Sequence, residues 1–191
     1  MKKTADIVIM GSGLAGITAA EAALNQGKRV IVFEKRPFQG GSVSNCPIAV
    51  FILKNDPAYK DAAFRVIYEY GNYTADPSLI RTYVNNCWRI KDYLNKMNIS
   101  MMPLAEVPLE GIGDKKYMMG FPAAISGHAD SYMLGGRGKG HAGALICLNA
   151  MRDITARGGE YFLNTPVTEI LTDDRGNVSG VLAKNNDTGE I

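Results

Sequence analysis

Four consecutive apolar residues, Ile7-Val8-Ile9-Met10, run directly into Gly11-Ser12-Gly13-Leu14-Ala15-Gly16. An unbroken apolar run that ends at glycine predicts a short strand buried on both faces. Residues 17–26 are Ala-rich and helix-forming, and Gly27 marks a helix stop. A second apolar run, Val30-Ile31-Val32-Phe33, predicts another buried strand, with Glu34 at its end. Strand, helix and strand fit within about thirty residues, the span of a β-α-β unit.

Further along, Asp56-Pro57 and Asp76-Pro77 each pair a capping residue with a proline suited to a first helical position. After the second, Leu79, Ile80, Tyr83, Val84, Cys87, Ile90, Leu94 and Met97 recur at three- and four-residue spacing and predict a broad buried stripe. Cys87 and Trp88 are therefore expected to pack the helix rather than carry chemistry. Residues 101–140 hold prolines and many glycines without a sustained period and read as an irregular excursion. A helix follows from about His141 to Arg157, then short strands at Tyr161-Phe162-Leu163 and from Val167 to Leu171. Asp173-Asp174-Arg175-Gly176-Asn177 reads as a turn and Val178 to Ala183 as the returning strand of a hairpin. Asn186-Asp187-Thr188-Gly189-Glu190 is a further turn, with Ile191 expected to open another strand.

Composition narrows the classes of function. The 191 residues are 46% apolar, and no apolar run is long enough to span a bilayer, so a transmembrane chain is excluded. Basic and acidic residues number 21 and 19, so bulk charge gives no reason to expect nucleic acid or anionic membranes as partners. Cys46, Cys87 and Cys147 are widely spaced and odd in number, which fits reduced structural thiols. With only His128 and His141 to join them, no zinc cluster is expected. The basic opening Met1-Lys2-Lys3 resembles the start of a secretory signal. Asp6 and Glu21 interrupt the apolar segment behind it, so the segment reads as mature structure; the expected location is cytoplasmic, with the periplasm as the alternative.

The first glycine turn points to a dinucleotide. Gly11 permits a tight turn out of the strand, Gly13 lets a pyrophosphate approach the backbone, and Gly16 lets helix and strand pack closely. The helix N-terminus offers N–H groups and a partial positive charge to phosphate. Glu34 can accept a hydrogen bond from a ribose hydroxyl, and its charge disfavours the 2′-phosphate of NADP. These residues alone leave NAD and FAD both open.

The continuation Glu34-Lys35-Arg36-Pro37-Phe38-Gln39-Gly40-Gly41-Ser42 brings a second glycine pair. In this spacing it resembles the flavoprotein family of soluble fumarate reductases, succinate dehydrogenase flavoprotein subunits and 3-ketosteroid dehydrogenases. There an acidic residue is followed by Lys, a short loop and Gly-Gly-x-Ser/Thr, which wraps the pyrophosphate and reaches toward the flavin ring. Residues 76–99, 136–159 and 159–183 resemble later segments of the same family, so the resemblance covers most of the chain.

It implies an α/β, Rossmann-like FAD-binding fold of the glutathione-reductase type, incomplete, with a helical insertion and a β-hairpin. The expected division is a β-α-β motif at 1–50, a helical insertion at 56–98, a loop excursion at 100–140 and a helix plus hairpin at 141–191. The whole of 1–191 would be the N-terminal part of an FAD-binding domain, without the family's substrate-capping domain. Carried over by position, Ala15, Glu34, Ser42, Val43, Pro47, Ile48 and Val167 are expected to touch FAD, Val167 through backbone pairing with the adenine edge. Gly11, Gly13, Leu14, Gly16, Lys35, Gly40 and Gly41 complete the expected cofactor-binding set.

The stretch Val43-Ser44-Asn45-Cys46-Pro47-Ile48-Ala49 departs from the family, which places a further glycine pair near the flavin N5. No histidine lies from Lys35 to Phe51, where membrane-complex members attach flavin covalently, so FAD is expected to be non-covalent. The implied activity is hydride transfer between flavin N5 and a substrate carbon–carbon bond, with a small-molecule substrate and an electron donor as partners. The family's proton donor and substrate clamps lie in later regions, so no catalytic residue is nominated and turnover by this chain alone is not expected. The alternative is a non-catalytic NAD- or FAD-binding module, or a fragment with an empty site. Gly135-Gly136-Arg137-Gly138-Lys139-Gly140 lacks the Lys-Ser/Thr of a P-loop and reads as a turn before a helix; its alternative is an anion contact by Arg137 or Lys139. His128 and His141 read as ordinary loop and helix-start residues.

Overall fold

Strands β1 (Ile7–Met10) and β2 (Val30–Phe33) flank helix α1 (Leu14–Asn25), where the apolar runs and the Ala-rich stretch predict them. The computed structural model describes residues 1–45, 49–103, 129–135 and 142–191. The chain divides into two compact units, residues 1–46 with 139–191, and residues 47–138.

In the first unit β1 and β2 pair in parallel, with Ile7 opposite Val30 and Met10 opposite Phe33. Strands β3 (Ala49–Leu53), β4 (Ser100–Pro103) and β5 (Ala129–Gly135) belong to the second unit. Back in the first, β6 (Glu160–Phe162) joins the far side of β2, giving the order β1-β2-β6, all parallel. Helix α1 packs on β1 and β2, and on the long helix over Ala142–Ala156 that leads into β6. The core is built from Ile17 and Ala20 of α1, Val30, Ile31 and Val32 of β2, and Ile146, Cys147, Ala150 and Ile154 of that long helix, all buried. Arg157 closes the end of this packing, donating to Asp153 at 3.1 Å and to Asn25 Oδ1 at 2.7 Å. Phe33 and Phe162 stack across the sheet with centroids 5.4 Å apart.

β1 departs from the sequence expectation of burial on both faces. Ile7, Val8 and Met10 are 39%, 36% and 56% exposed. The reason is position: β1 is the edge of the described sheet, with β2 on one side only. Alternation turns Ile9 toward the helix, where its Cγ2 lies near Gly16, and turns Val8 and Met10 the other way. β2 has neighbours on both edges and meets the expectation.

The hairpin forms as the turn residues predict. β7 (Val167–Thr172) and β8 (Val178–Ala183) pair antiparallel. The Asp173 carboxylate accepts from the N–H groups of Arg175 at 2.9 Å and Asn177 at 2.8 Å, closing the turn. The Ile191 carbonyl accepts from the N-terminal amine at 2.6 Å.

In the second unit β3, β5 and β4 form an antiparallel sheet in that order. Both Asp-Pro signals start helices. Asp56 Oδ1 accepts from Ala58 N–H at 3.0 Å to cap α2 (Pro57–Tyr70), and Asp76 Oδ1 accepts from Ser78 N–H at 2.7 Å to cap α3 (Pro77–Asn86). The core cluster joins Leu53, Ala63, Val66, Ile80, Val84 and Cys87. Two expectations change here. The helix after Asp76 is interrupted by a 3₁₀ turn over Cys87–Arg89 before α4 (Ile90–Lys96), and Leu79 is 68% exposed. Of the eight stripe positions Ile80, Val84, Cys87, Leu94 and Met97 are inside and Ile90 is half-buried, whereas Tyr83 lies partly open, as does Trp88 beside the stripe. Trp88 instead donates its indole N–H to the Asn85 carbonyl at 3.1 Å. The region read as irregular supplies β4 and β5, while residues 104–128 and 136–141, with His128, His141, Arg137 and Lys139, lie outside the described residues.

A charge pair staples the entry of the parallel sheet. Asp6 accepts from Arg29 N–H at 2.8 Å and from its guanidinium at 2.9 Å, which holds the Asp6 carboxyl down at about 2. Because the folded value lies below the ordinary aspartate value of 3.8, the stabilisation is complete above that pH and is lost as pH falls toward about 2. Asp6→Asn is therefore expected to lower the melting temperature at neutral pH. The gap to wild type should close in strong acid, as thermal scans across pH would show; a gap independent of pH would contradict the pairing.

Candidate functional site

The end of β2 and the two glycine turns are tied together through Ser12 and Glu34. Glu34 is fixed by its own backbone: its N–H donates to the Phe162 carbonyl and its carbonyl accepts from Thr165 N–H, both at 2.8 Å. Its carboxylate is buried, yet every described partner is a donor. Oε2 accepts from Ser12 N–H at 2.8 Å and from Ser12 Oγ at 2.7 Å, and Oε1 accepts from Arg36 N–H at 2.9 Å. Burial raises the carboxyl, but the two backbone donors, the Ser12 hydroxyl and the Arg36 charge outweigh it, so Glu34 sits below the ordinary carboxylate range and is ionised at neutral pH.

The second turn docks on the first. Gly40 N–H donates to the Ser12 carbonyl at 3.1 Å, and Ser44 Oγ donates to the Gly41 carbonyl at 2.7 Å across a 3₁₀ turn over Val43–Asn45. Gly40 has φ +100°, and a Cβ there would lie 3.0 Å from both Cys147 Sγ and Ser44 Cβ. Glycine is required at this point by backbone and by space. Burial pushes the Cys147 thiol up to about 11, so it packs under the turn as a neutral group.

The first-turn glycines differ in what surrounds them. A Cβ on Gly16 would fall 2.0 Å from the Gly11 carbonyl oxygen, so the helix–strand approach itself demands glycine. Among the described residues a Cβ on Gly13 would meet nothing within 4 Å, and its φ of −65° suits any residue. The fold does not need glycine at position 13. The open space lies over the N-terminus of α1, which has no side-chain cap. Bare N–H groups facing open space are suited to an anion.

Beside these turns is an open cleft of ≈ 390 Å³. Of the residues expected at a cofactor site, Gly11, Glu34, Lys35, Gly41 and Val167 line it. Met10, Phe33, Arg36 and Pro166 line it too and were not anticipated. The Thr165–Glu34 backbone bond brings Val167 beside the strand end. Gly13, Leu14, Ala15, Gly16, Gly40, Ser42 and Val43 belong to the same turns without lining the cleft, and Leu14, Ala15 and Ser42 are exposed. Pro47 and Ile48 lie outside the described residues. Arg36 and Ser12 had a legible signal: a cation next to the acidic strand end, and a small polar residue between the first two glycines.

Residues 6–191 match the family model described as FAD binding domain. The chain belongs to this FAD-binding family. Among similar proteins, a fumarate reductase (cytochrome) of Shewanella frigidimarina is 29% identical over 189 residues, covering 95% of this chain and 30% of that protein. A 3-oxosteroid 1-dehydrogenase of Mycolicibacterium smegmatis is 41% identical over 56 residues, 29% of this chain and 10% of that protein. Among solved structures, a 3-ketosteroid-delta4-(5alpha)-dehydrogenase from Rhodococcus jostii RHA1 superposes with a TM-score of 0.70 at 19% identity, over 95% of this chain and 42% of that one. The chain thus spans less than half the length of each of these. The fold is the α/β FAD-binding fold of flavoenzymes, and the cofactor of the FAD-binding domain is FAD. The space at Gly13, the uncapped α1 N-terminus and the ionised Glu34 fit a dinucleotide of that kind. Among the described residues no helix is long and apolar enough to cross a membrane, and no group of His, Cys, Asp and Glu could hold a metal ion.

Proposed function

We propose that this chain holds FAD, without a covalent link, for a flavin-dependent oxidoreductase of the fumarate reductase type. The observation that carries the proposal is the buried, ionised Glu34 at the cleft, held by the first glycine turn with Val167 alongside. When bound, FAD supplies hydride transfer between its N5 and a substrate carbon–carbon bond. The chain's own residues bind and orient. The α1 N-terminus and the space over Gly13 would hold the pyrophosphate, with the Gly40–Gly41 turn docked beside them through the Gly40–Ser12 backbone bond. Glu34 would accept from an adenosine ribose hydroxyl and would repel a 2′-phosphate, and Val167, which lines the same cleft, would offer its backbone to the adenine edge. A non-covalent mode is supported by the absence of histidine between Lys35 and Phe51. The buried free thiols of Cys87 and Cys147 support a reducing, cytoplasmic compartment. A small-molecule substrate and an electron donor are the proposed partners of the whole enzyme.

Glu34→Ala is expected to weaken FAD binding by about 1–3 kcal/mol through loss of a charge-assisted hydrogen bond, read by quenching of flavin fluorescence. Unchanged affinity would remove Glu34 from the site. Acid precipitation of the yellow complex is expected to leave all flavin in the supernatant, and flavin retained on the precipitate would overturn the non-covalent mode.

A further inference from the structure

We propose that Ser12 is a positioning residue that leaves the Glu34 carboxylate a single free acceptor position, so that Glu34 grips one ribose hydroxyl and not two. This deepens the FAD proposal and rests on the cleft being the adenosine site. An ionised carboxylate has about four acceptor positions, two on each oxygen. Ser12 occupies both on Oε2, through its N–H at 2.8 Å and its hydroxyl at 2.7 Å. Arg36 N–H occupies one on Oε1 at 2.9 Å. Among the described residues, what remains is one position on Oε1, in a residue that lines the cleft and is only 4% exposed. A pair of ribose hydroxyls engaging both oxygens would have to displace Ser12.

Ser12 is held as firmly as the group it holds. It is fully buried, its carbonyl accepts from Gly40 N–H at 3.1 Å, and its Oγ lies 3.4 Å from the same N–H. With a donor on one side, the hydroxyl's single proton is directed at Oε2. Ser12 therefore joins three chain segments: the first glycine turn, the end of β2 and the second glycine turn. The orientation of Glu34 in the ribose subsite and the placement of the Gly40–Gly41 turn over the pyrophosphate become parts of one arrangement.

The test uses FAD and two analogues in which the adenosine ribose is 2′-deoxy or 3′-deoxy, titrated into the wild-type chain, Ser12→Ala and Glu34→Ala. In wild type one analogue is expected to bind about tenfold or more weaker than FAD while the other binds as FAD does. Equal weakening of both would overturn the single grip. Ser12→Ala is expected to weaken FAD itself by about tenfold, and this penalty should vanish for the sensitive analogue, whose contact with Glu34 is already lost. A Ser12→Ala penalty of the same size for FAD and both analogues would mean that Ser12 only supports the fold, and would overturn the positioning role. The wild-type comparison needs no variant to fold. Glu34→Ala separates the two levels: if it binds FAD as wild type does, the adenosine-site assignment itself is wrong, and this inference falls with it.

Discussion

Gly16→Ala is expected to destabilise the unit that carries the parallel sheet by about 3 kcal/mol or more. Its Cβ would stand 2.0 Å from the Gly11 carbonyl oxygen and 3.0 Å from the Gly11 carbonyl carbon, which is backbone and cannot swing aside. The third neighbour, Ile9 Cγ2 at 3.4 Å, blocks retreat toward β1. Either α1 lifts off the sheet or the turn opens, and both separate Gly11 from its hydrogen bond to the Phe33 carbonyl at 2.7 Å. For a chain of this size the melting temperature should fall by roughly 6–12 °C. FAD binding should fail together with it, because the turn that presents Ser12 to Glu34 is the part displaced. A melting temperature within a degree of wild type would contradict the close approach of helix and strand.

Gly13→Val is expected to do the reverse. No described residue comes within 4 Å of a Cβ at Gly13 and its backbone angles suit any residue, so the fold should lose less than about 1 kcal/mol, the cost of a poorer helix start. FAD affinity should fall by about 3 kcal/mol, or roughly 150-fold, because the new side chain fills the space over the α1 N-terminus. Circular dichroism melting and flavin fluorescence titration on the same sample read both quantities. The two substitutions, three residues apart in one motif, thus separate a glycine required by the protein from a glycine required by the ligand. If Gly13→Val bound FAD like wild type, the pyrophosphate would not lie over this turn.

The difference between what the sequence announced and what it concealed follows the range of the interactions. Local signals were legible. The apolar runs at Ile7–Met10 and Val30–Phe33 are strands, the two Asp-Pro pairs cap helices, and Asp173 closes the predicted hairpin turn. Concealed features depend on partners far along the chain. β1 carries the apolar run of a central strand but occupies a described sheet edge, a fact set by β6 joining β2 rather than β1. β3 is itself an unbroken apolar run, Ala49-Val50-Phe51-Ile52-Leu53, a local strand signal like those of β1 and β2; what is distant is its partner, β5, which begins at Ala129. β4 and β5 lie in a glycine- and proline-rich stretch where pairing, not periodicity, makes the strands. At the site, Glu34 and the glycines were legible by type and spacing. The division of its oxygens between Ser12 and Arg36, and the presence of Met10, Phe33 and Pro166 at the cleft, are consequences of folding.

If the two glycine turns and the end of β2 form an FAD site, titration of the purified chain with FAD, with NAD as the comparison ligand, will show it. The expected result is saturable binding of one FAD per chain, quenched flavin fluorescence, and NAD binding at least about tenfold weaker. A colourless chain that binds NAD in preference to FAD, or neither, would contradict the account.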